Sequence, residues 1–176
     1  MSIRNPDQRV GVFVDVQNLY YSARNMYNAR VNFNAVLDAA VADRRLIRAV
    51  AYVIEADEPQ EKTFFEALDK AGFEVKKKPL QTWASGHQKG DWDVGIAMDI
   101  IKMMNKLDVV VLASGDGDFV PLLEYLQMMG QFTETLAFGK SCSGKVKELT
   151  DYFVDLDDAP KQYLMPIKVH KTTRKA

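Results

Sequence analysis

Short apolar runs alternate along the chain with segments in which apolar residues recur at helical spacing. The apolar runs are rich in valine and lack a helical period, which is typical of strands buried on both faces of a sheet. This pattern predicts strands in the segments RVGVFVDVQ, LIRAVAYVIE, FEVKKKPL, LDVVVLAS, QFTETLAFG and FVDL.

Helices are predicted between these strands. In FNAVLDAAVADRR, Phe33, Val36 and Leu37 begin an apolar stripe at helical spacing. EPQEKTFFEALDKAG opens with glutamate and proline and stops at Gly72, which is the polarity expected of a helix. Further helices are predicted in WDVGIAMDIIKMMNK, DFVPLLEYLQMMG and KVKELTDY. The alternation predicts an α/β fold with right-handed crossovers, a mostly parallel central sheet and helices on both faces.

The composition excludes several classes of protein. A chain of 176 residues, 47% of them hydrophobic, suits one domain with a substantial core. A net charge of -1 means that any contact with nucleic acid must be local. The single cysteine, Cys142, excludes an internal disulfide, and two histidines are too few for a Cys/His zinc cluster.

The ends of the chain differ from its middle. The first residues have no apolar signal-peptide core, and no apolar run reaches the roughly 18 residues of a membrane span, so we expect a soluble cytoplasmic protein without membrane contact. Residues 1–8 are expected to be an N-terminal extension and residues 9–158 the domain. From Ala159 onward the chain has no acid, which predicts a basic C-terminal tail over residues 159–176. Its basic residues are Lys161, Lys168, Lys171, Arg174 and Lys175.

Acidic residues follow two of the predicted strands. Asp15 ends the first, and Asp116 and Asp118 follow the fourth. Ligands of open α/β sheets bind beyond the carboxyl ends of the strands, where strand order reverses, so these acids face each other if the two strands are neighbours. Asp93, in the first turn of the helix before the fourth strand, is expected at the same edge. Four carboxylates there are costly unless a divalent cation neutralises them, and carboxylate oxygens suit Mg²⁺ or Mn²⁺.

Each acid also has a purely structural interpretation. Asp118 can be the N-cap of FVPLLEYL, Asp116 a turn residue, and Asp91 or Asp93 an acid that complements a helix dipole. The functional hypothesis rests on the set, because three separate segments place acids at one predicted edge. Asp99 lies within the apolar pattern of its helix, and its side chain either supports the acids or faces solvent.

Three segments resemble the motif blocks of NYN domains, in the LabA-like branch of the PIN-like nuclease superfamily. The segments are VFVDVQNLY (12–20), KGDWDVGIAMDII (89–101) and VLASGDGDFVPLLEYL (111–126), of which SGDGDFVPLL after a strand is the most specific part. The resemblance runs in order across most of residues 9–156. It implies a PIN-like three-layer sandwich and metal-dependent RNA cleavage, in a branch whose members are often bacterial.

The resemblance also implies roles for individual residues. The catalytic and metal-binding acids, for one or two ions of Mg²⁺ or Mn²⁺, would be Asp15, Asp93, Asp116 and Asp118. Asn18, in the family's Asp-x-x-Asn pattern, and Ser114 would be supporting polar residues. The helix pattern, and not the resemblance, makes Asp99 a further candidate for that role.

The sequence departs from the family pattern at two places. Val16 stands where many members have glycine, and the spacing from Lys89 to Asp93 is one residue longer than the family's shorter form. The longer spacing leaves Asp91 as an alternative to Asp93 as the metal ligand of this segment. The following VGIAMD favours Asp93.

Cations and one aromatic residue are predicted beside the acidic rim. The candidate substrate contacts here are Lys76, Lys78, Trp83 and Lys89, because cations would meet phosphates and Trp83 could stack on a base. Alternatively, the lysine run in FEVKKKPL, which we expect to face outward, protects an edge strand from pairing, and Trp83 packs on the core.

One segment partly matches a phosphate-binding loop. GKSCSGKV, residues 139–146, follows a strand, precedes a helix and matches G-x-x-x-x-G-K. The next position of that motif requires Ser or Thr, and Val146 occupies it, so we expect no nucleotide cofactor. The segment remains a candidate for binding a substrate phosphate through Lys140 or Ser143.

Together with the resemblance, which implies RNA as the substrate, these observations predict a Mg²⁺- or Mn²⁺-dependent endoribonuclease with RNA as its partner. The metal would activate a water molecule for attack on the phosphodiester, and no covalent nucleophile is required. The alternative is a non-catalytic RNA- or protein-binding regulatory module that retains the acidic pocket. Replacing Asp116 with Asn distinguishes the two, because it should abolish cleavage and leave RNA binding largely intact.

Overall fold

Six parallel strands form the central sheet of the protein. The computed structural model describes residues 4–56, 58–82 and 88–167, without the side chains of residues 82, 88 and 89. The strands are β1 (Arg9–Asp15), β2 (Ala29–Val31), β3 (Arg45–Glu55), β4 (Glu74–Pro79), β5 (Gln81–Thr82), β6 (Gln88–Lys89), β7 (Val109–Ala113), β8 (Phe132–Ala137), β9 (Tyr152–Asp155) and β10 (Leu164–Pro166).

Helices connect the strands of the sheet. They are α1 (Val16–Tyr27), α2 (Phe33–Val41), α3 (Glu61–Lys70), α4 (Asp93–Met103), α5 (Val120–Met128), α6 (Gly144–Leu149) and α7 (Pro160–Tyr163). Short 3-10 turns occupy residues 104–106, 117–119 and 156–158. Among the described residues, no helix is both long and apolar enough to cross a membrane.

The strand order of the sheet is β4-β3-β1-β7-β8-β9. The chain builds outward from β1 in one direction through β3 and β4, and then in the other through β7, β8 and β9. The order therefore reverses between β1 and β7, which meets the condition under which the acids of the first and fourth predicted strands face each other. The α/β prediction, with a mostly parallel sheet and helices around it, is also confirmed; β2 with β10 and β5 with β6 form small antiparallel pairs.

Two hydrophobic cores lie on the two faces of the sheet. Because side chains alternate along a strand, Val10, Val12 and Val14 of β1 point to the core covered by α1, α2 and α3. Phe13 points to the core formed with α4, α5 and α6. Burial on both faces explains why the strands read as continuous apolar runs.

Helix α1 was missed by the hydrophobic pattern. Only three of its residues are buried, namely Val16, Leu19 and Ala23, and the rest of the helix is largely polar. The signals that define it are at its ends. Asp15 is its N-cap, and Asn28 ends it in the left-handed conformation with φ 45°.

The lysines of β4 do not all face outward, which corrects our prediction. Lys76 and Lys78 are half-buried, and Lys77 is exposed on the opposite face, because consecutive side chains alternate. Lys77 lies 4.7 Å from the centre of the Phe65 ring and 3.8 Å from Glu55. The polar loop predicted after β4 contains the β5–β6 pair, and Trp83 lies outside the described residues.

The first residues of the expected basic tail belong to the fold. From Pro160 the chain forms α7, whose Tyr163 is buried, and then β10, which pairs with β2. Residues 168–176 lie outside the described part of the chain. Arg4, within the predicted N-terminal extension, forms an ion pair of 2.9 Å with the buried Glu134 of β8.

Candidate active site

The carboxyl ends of β1 and β7 lie side by side at the point where the strand order reverses. The register pairs Val14 with Ala113, so Asp15 and Ser114 are neighbours at the sheet edge. Ser114 Oγ donates to Asp15 Oδ2 at 3.1 Å, and the backbone amide of Asn18 donates to Asp15 Oδ1 at 3.1 Å. Burial raises the pKa of Asp15 even though both hydrogen bonds favour its carboxylate form.

Asn18 joins α1 to the loop that follows β7. Its Oδ1 accepts a hydrogen bond from the amide of Gly115 at 3.0 Å. A Cβ at Gly115 would lie 2.9 Å from Cys142 Cα, so the close approach of these two loops requires glycine. Asn18 and Gly115 therefore help to hold the loop before Asp116 in place.

Asp116 and Asp118 lie in the turn that leads into α5. Asp116 Oδ1 accepts from the amide of Asp118 at 3.0 Å and caps the 3-10 turn Gly117–Phe119. The capping role considered for Asp118 thus belongs to Asp116, and the Asp118 side chain is left exposed. Capping by Oδ1 of Asp116 does not prevent Oδ2 of the same residue from facing a ligand.

Asp93 is the first residue of α4 and is half-buried. Its burial, together with the negative charges of Asp15 and Asp116, raises its pKa to about 6. Asp93, Asp116 and Asp118 each offer one carboxylate oxygen, and these oxygens lie within 4.8 Å of one another. This grouping of oxygen donors fits a hard divalent cation, which would relieve their mutual repulsion.

Trp92 contributes to the site, and its role was missed by the sequence analysis. Its Nε1 donates to the carbonyl of Val53 at 2.8 Å, and its ring lies 5.2 Å from that of Tyr52. A Cβ at Gly95 would lie 2.5 Å from the Trp92 ring, so this ring packs on the first turn of α4. These contacts fix the position of the residue before Asp93.

Asp15, Asp93 and Asp116 line an open cleft of about 430 Å³, and Asp118 is not among its lining residues. Its other walls come mainly from one side of α1, which explains why they were not predicted. The lining residues are Asp15, Gln17, Asn18, Tyr21, Ser22, Asn25, Met26, Asp91, Trp92, Asp93, Asp116 and Ser141. None of these residues is lysine or arginine.

Two of the predicted substrate-binding lysines are held by other groups. Lys76 Nζ forms an ion pair of 2.6 Å with Asp99, which also accepts from Tyr52 Oη at 2.8 Å. Lys78 Nζ donates to the carbonyl of Asp91 at 2.9 Å. Asp99 therefore lies in an ion pair beside β4 and outside the three-carboxylate group. The Lys89 side chain, like Trp83, is outside the described part of the structure.

Residues 139–143 do not offer free amides to a phosphate. The amide of Gly139 donates to Asp155 and that of Lys140 to Asp157. The next three amides, of residues 141–143, donate to backbone carbonyls. Lys140 Nζ lies 3.3 Å from Tyr27 Oη, and the Ser143 amide donates to Gly115 O at 2.9 Å, so Ser143 lies next to the acidic turn.

Comparisons with known proteins agree with this architecture. The profile of the NYN domain family matches residues 9–157. The low amplitude and bright protein LabA of Synechococcus elongatus is 24% identical over 159 residues, which cover 85% of this chain and 84% of LabA. A crystal structure of a protein of unknown function from Vibrio parahaemolyticus has a TM-score of 0.82 and 33% identity, and the match covers 93% of this chain and 100% of that one.

Proposed function

Because the chain belongs to the NYN domain family, of the PIN-like nuclease superfamily, we propose that it is a metal-dependent ribonuclease. It would hydrolyse phosphodiester bonds of RNA in the cleft at the ends of β1 and β7. The observation that carries this proposal is the convergence of Asp93, Asp116 and Asp118, whose carboxylate oxygens lie within 4.8 Å of one another.

The residues that would hold one or two ions of Mg²⁺ or Mn²⁺ are these three acids together with Asp15. Asp15 lines the cleft with little of its surface exposed, its two carboxylate oxygens accept hydrogen bonds from Asn18 and Ser114, and its charge raises the pKa of Asp93. When bound, the cation supplies positive charge for the phosphodiester and lowers the pKa of an attacking water.

The chain's own residues position the acids and the substrate. Ser114 and Asn18 fix the two loops that carry Asp15 and Asp116, so the acids are held in place before a ligand arrives. Gln17, Tyr21 and Asn25 line the cleft beside them and present polar groups to an RNA backbone. The cleft is open, which suits a polymer better than a small enclosed substrate.

The first test is metal binding. We expect calorimetry to detect Mn²⁺ binding to the protein, and we expect Asp116→Asn to abolish it. The asparagine keeps an oxygen that can cap the turn at Gly117–Phe119, so the variant should remain folded. Asp69→Asn, an exposed acid of α3, is the matched control and should bind the ion as the parent does.

The second test is cleavage. With Mg²⁺ or Mn²⁺ present, the parent and Asp69→Asn should cleave single-stranded RNA, whereas Asp116→Asn should bind RNA without cleaving it. If the purified parent cleaves no RNA with either ion, or if Asp116→Asn cleaves as well as the parent, the proposal is wrong.

One observation favours a second candidate function. The described residues that line the cleft include no lysine or arginine, although a nuclease needs cations for its substrate. A non-catalytic regulatory module that keeps the acidic pocket, and binds a protein there or RNA at another surface, would fit this lining. Metal binding without cleavage of any RNA would favour that candidate.

A further inference from the structure

A second groove lies on the other side of α1 from the acidic cleft. Its volume is about 840 Å³, and it runs between α1, β2, α3 and β10. Phe33, Phe64 and Leu68 are among its apolar lining residues, and Arg24 and Arg30 are its two cationic ones. The groove therefore combines apolar surface with positive charge. The described residues that line the acidic cleft supply no such positive charge.

The two arginines differ from others in the described chain. Arg9, Arg44 and Arg48 each form an ion pair with a carboxylate, at 2.6 to 2.8 Å. Arg24 and Arg30 are exposed, and within the described residues neither takes part in a side-chain hydrogen bond or an ion pair. Their guanidinium groups are available to an anionic partner, and a guanidinium can bind phosphate through two parallel hydrogen bonds.

An aromatic pair connects the groove to the cleft. Tyr20 lines the groove and Tyr21 lines the cleft, and their ring centres are 5.4 Å apart in an edge-to-face arrangement. The two residues are 39% and 51% exposed. Exposed aromatic faces beside unpaired cations are the combination used to bind single-stranded nucleic acid, in which bases stack and phosphates meet positive charge.

We propose that single-stranded RNA leaves the acidic cleft over Tyr20 and Tyr21 and continues along this groove, where Arg24 and Arg30 bind its phosphates. This inference rests on the proposed ribonuclease function, and it supplies the cations that the cleft itself does not provide. The two unpaired arginines favour a polyanion over an apolar peptide, since burying them under apolar side chains would cost free energy.

Binding is measured by fluorescence anisotropy in EDTA, so that no cleavage interferes. The probes are labelled single-stranded RNAs of two lengths. One of about 12 nucleotides can span the cleft and the groove, and one of about 4 nucleotides can occupy only one of them. The test variant carries Arg24→Glu and Arg30→Glu. The matched control carries Arg45→Glu and Lys106→Glu, two exposed cations at the amino ends of β3 and β7, with the same change in net charge.

The Arg24→Glu/Arg30→Glu variant should bind the longer RNA at least about tenfold more weakly, because two phosphate contacts become repulsive. The slope of log affinity against log salt should decrease in magnitude by about 1.4 in Arg24→Ala/Arg30→Ala, since each phosphate contact on a single strand contributes about 0.7. The shorter RNA should bind the parent more weakly than the longer one, and the control variant should bind either RNA as the parent does. Thermal unfolding checks that each variant is folded.

Equal affinities of the parent and both Arg24/Arg30 variants for the longer RNA would overturn the inference and leave the groove to another partner, such as a protein. An equal loss in the test and control variants would also overturn it, since net charge alone would then explain the effect. These outcomes are distinct from failure of the proposed function, which is judged by cleavage in Mn²⁺. RNA that binds through Arg24 and Arg30 but is never cleaved would support RNA binding in the groove and contradict the proposed ribonuclease function.

Discussion

Asp15 and Asp116 each cap a local element and also place a negative charge near Asp93. Asp116, which the purely structural interpretation made a turn residue, caps a 3-10 turn, and Asp15 caps α1, a role that was not predicted. Yet the same caps bring their carboxylates toward Asp93, whose pKa rises to about 6. A carboxylate placed among like charges costs stability, and such a cost is typical of functional sites.

We predict that Asp93→Asn makes the stability of the metal-free protein less dependent on pH. The pKa of Asp93 rises from 3.8 to about 6 on folding, so the folded protein binds this proton more tightly than the unfolded chain. The resulting stabilisation is present below pH 3.8 and is lost as the pH rises through about 6. Since Asp93 is only half-buried and screened by solvent, the loss should be on the order of 1 kcal/mol.

Urea unfolding in EDTA across this pH range measures the difference. The parent should lose stability relative to Asp93→Asn as the pH rises, and Asp69→Asn should follow the parent. Parallel curves for the parent and Asp93→Asn would show that the Asp93 carboxyl titrates normally.

Contacts between elements decide which charged groups remain available. Lys76 of β4 forms an ion pair with Asp99 of α4, and Tyr52 of β3 donates a hydrogen bond to the same carboxylate. Burial alone would raise the pKa of Asp99, but the hydrogen bonds from Lys76 and Tyr52 outweigh it and lower the pKa. Substrate binding by Lys76 stays a prediction, and it would require the ammonium group to leave this pair.

We predict that Lys76→Met destabilises the protein by about 1 to 2 kcal/mol at neutral pH, because a partly buried ion pair is lost and Asp99 keeps its charge. The lowered pKa of Asp99 means that the pair stabilises the fold above the ordinary pKa of Asp and stops doing so as the pH falls. The difference between variant and parent should therefore shrink in acid. Urea unfolding at two pH values measures it, with the exposed Lys70→Met as control; a difference that persists in acid would contradict the ion-pair explanation.

At the scale of the whole molecule, the end of the sheet opposite the cleft is held by a buried ion network. Glu134 of β8 is fully buried and binds Arg44 at 2.7 Å and Arg4 at 2.9 Å. Arg44 also donates to the carbonyls of Ala40 and Val41 at the end of α2. The network therefore ties the first described residue and α2 to the sheet.

We predict that Glu134→Gln lowers the free energy of unfolding by about 3 kcal/mol, because it leaves Arg44 charged and buried without a counter-ion. Glu74→Gln, in the exposed pair with Arg48, should cost less than about 1 kcal/mol. Urea unfolding of the two variants compares them directly. Similar losses in both would mean that burial does not determine the strength of the Glu134 network.

The sequence predicted those secondary-structure elements whose signals come from neighbouring residues. The six strands of the sheet and five of its helices were predicted, most of them from apolar runs, an apolar stripe at helical spacing or signals at the helix ends. Helix α1 was missed because it buries only Val16, Leu19 and Ala23, and most walls of the cleft were missed with it. The three-residue strands β2 and β10 are too short to give a pattern of their own.

By itself, then, the sequence determined the order of the sheet-forming elements and the presence of Asp15, Asp116 and Asp118 at strand ends, because strand and turn signals come from neighbouring residues. Only the tertiary structure decided that carboxylate oxygens of Asp93, Asp116 and Asp118 converge, that Lys76 pairs with Asp99, and that Arg24 and Arg30 have no carboxylate partner within the part of the chain that the structure describes. These outcomes depend on the register and packing of segments far apart in the chain, and a local pattern of side chains does not contain that information.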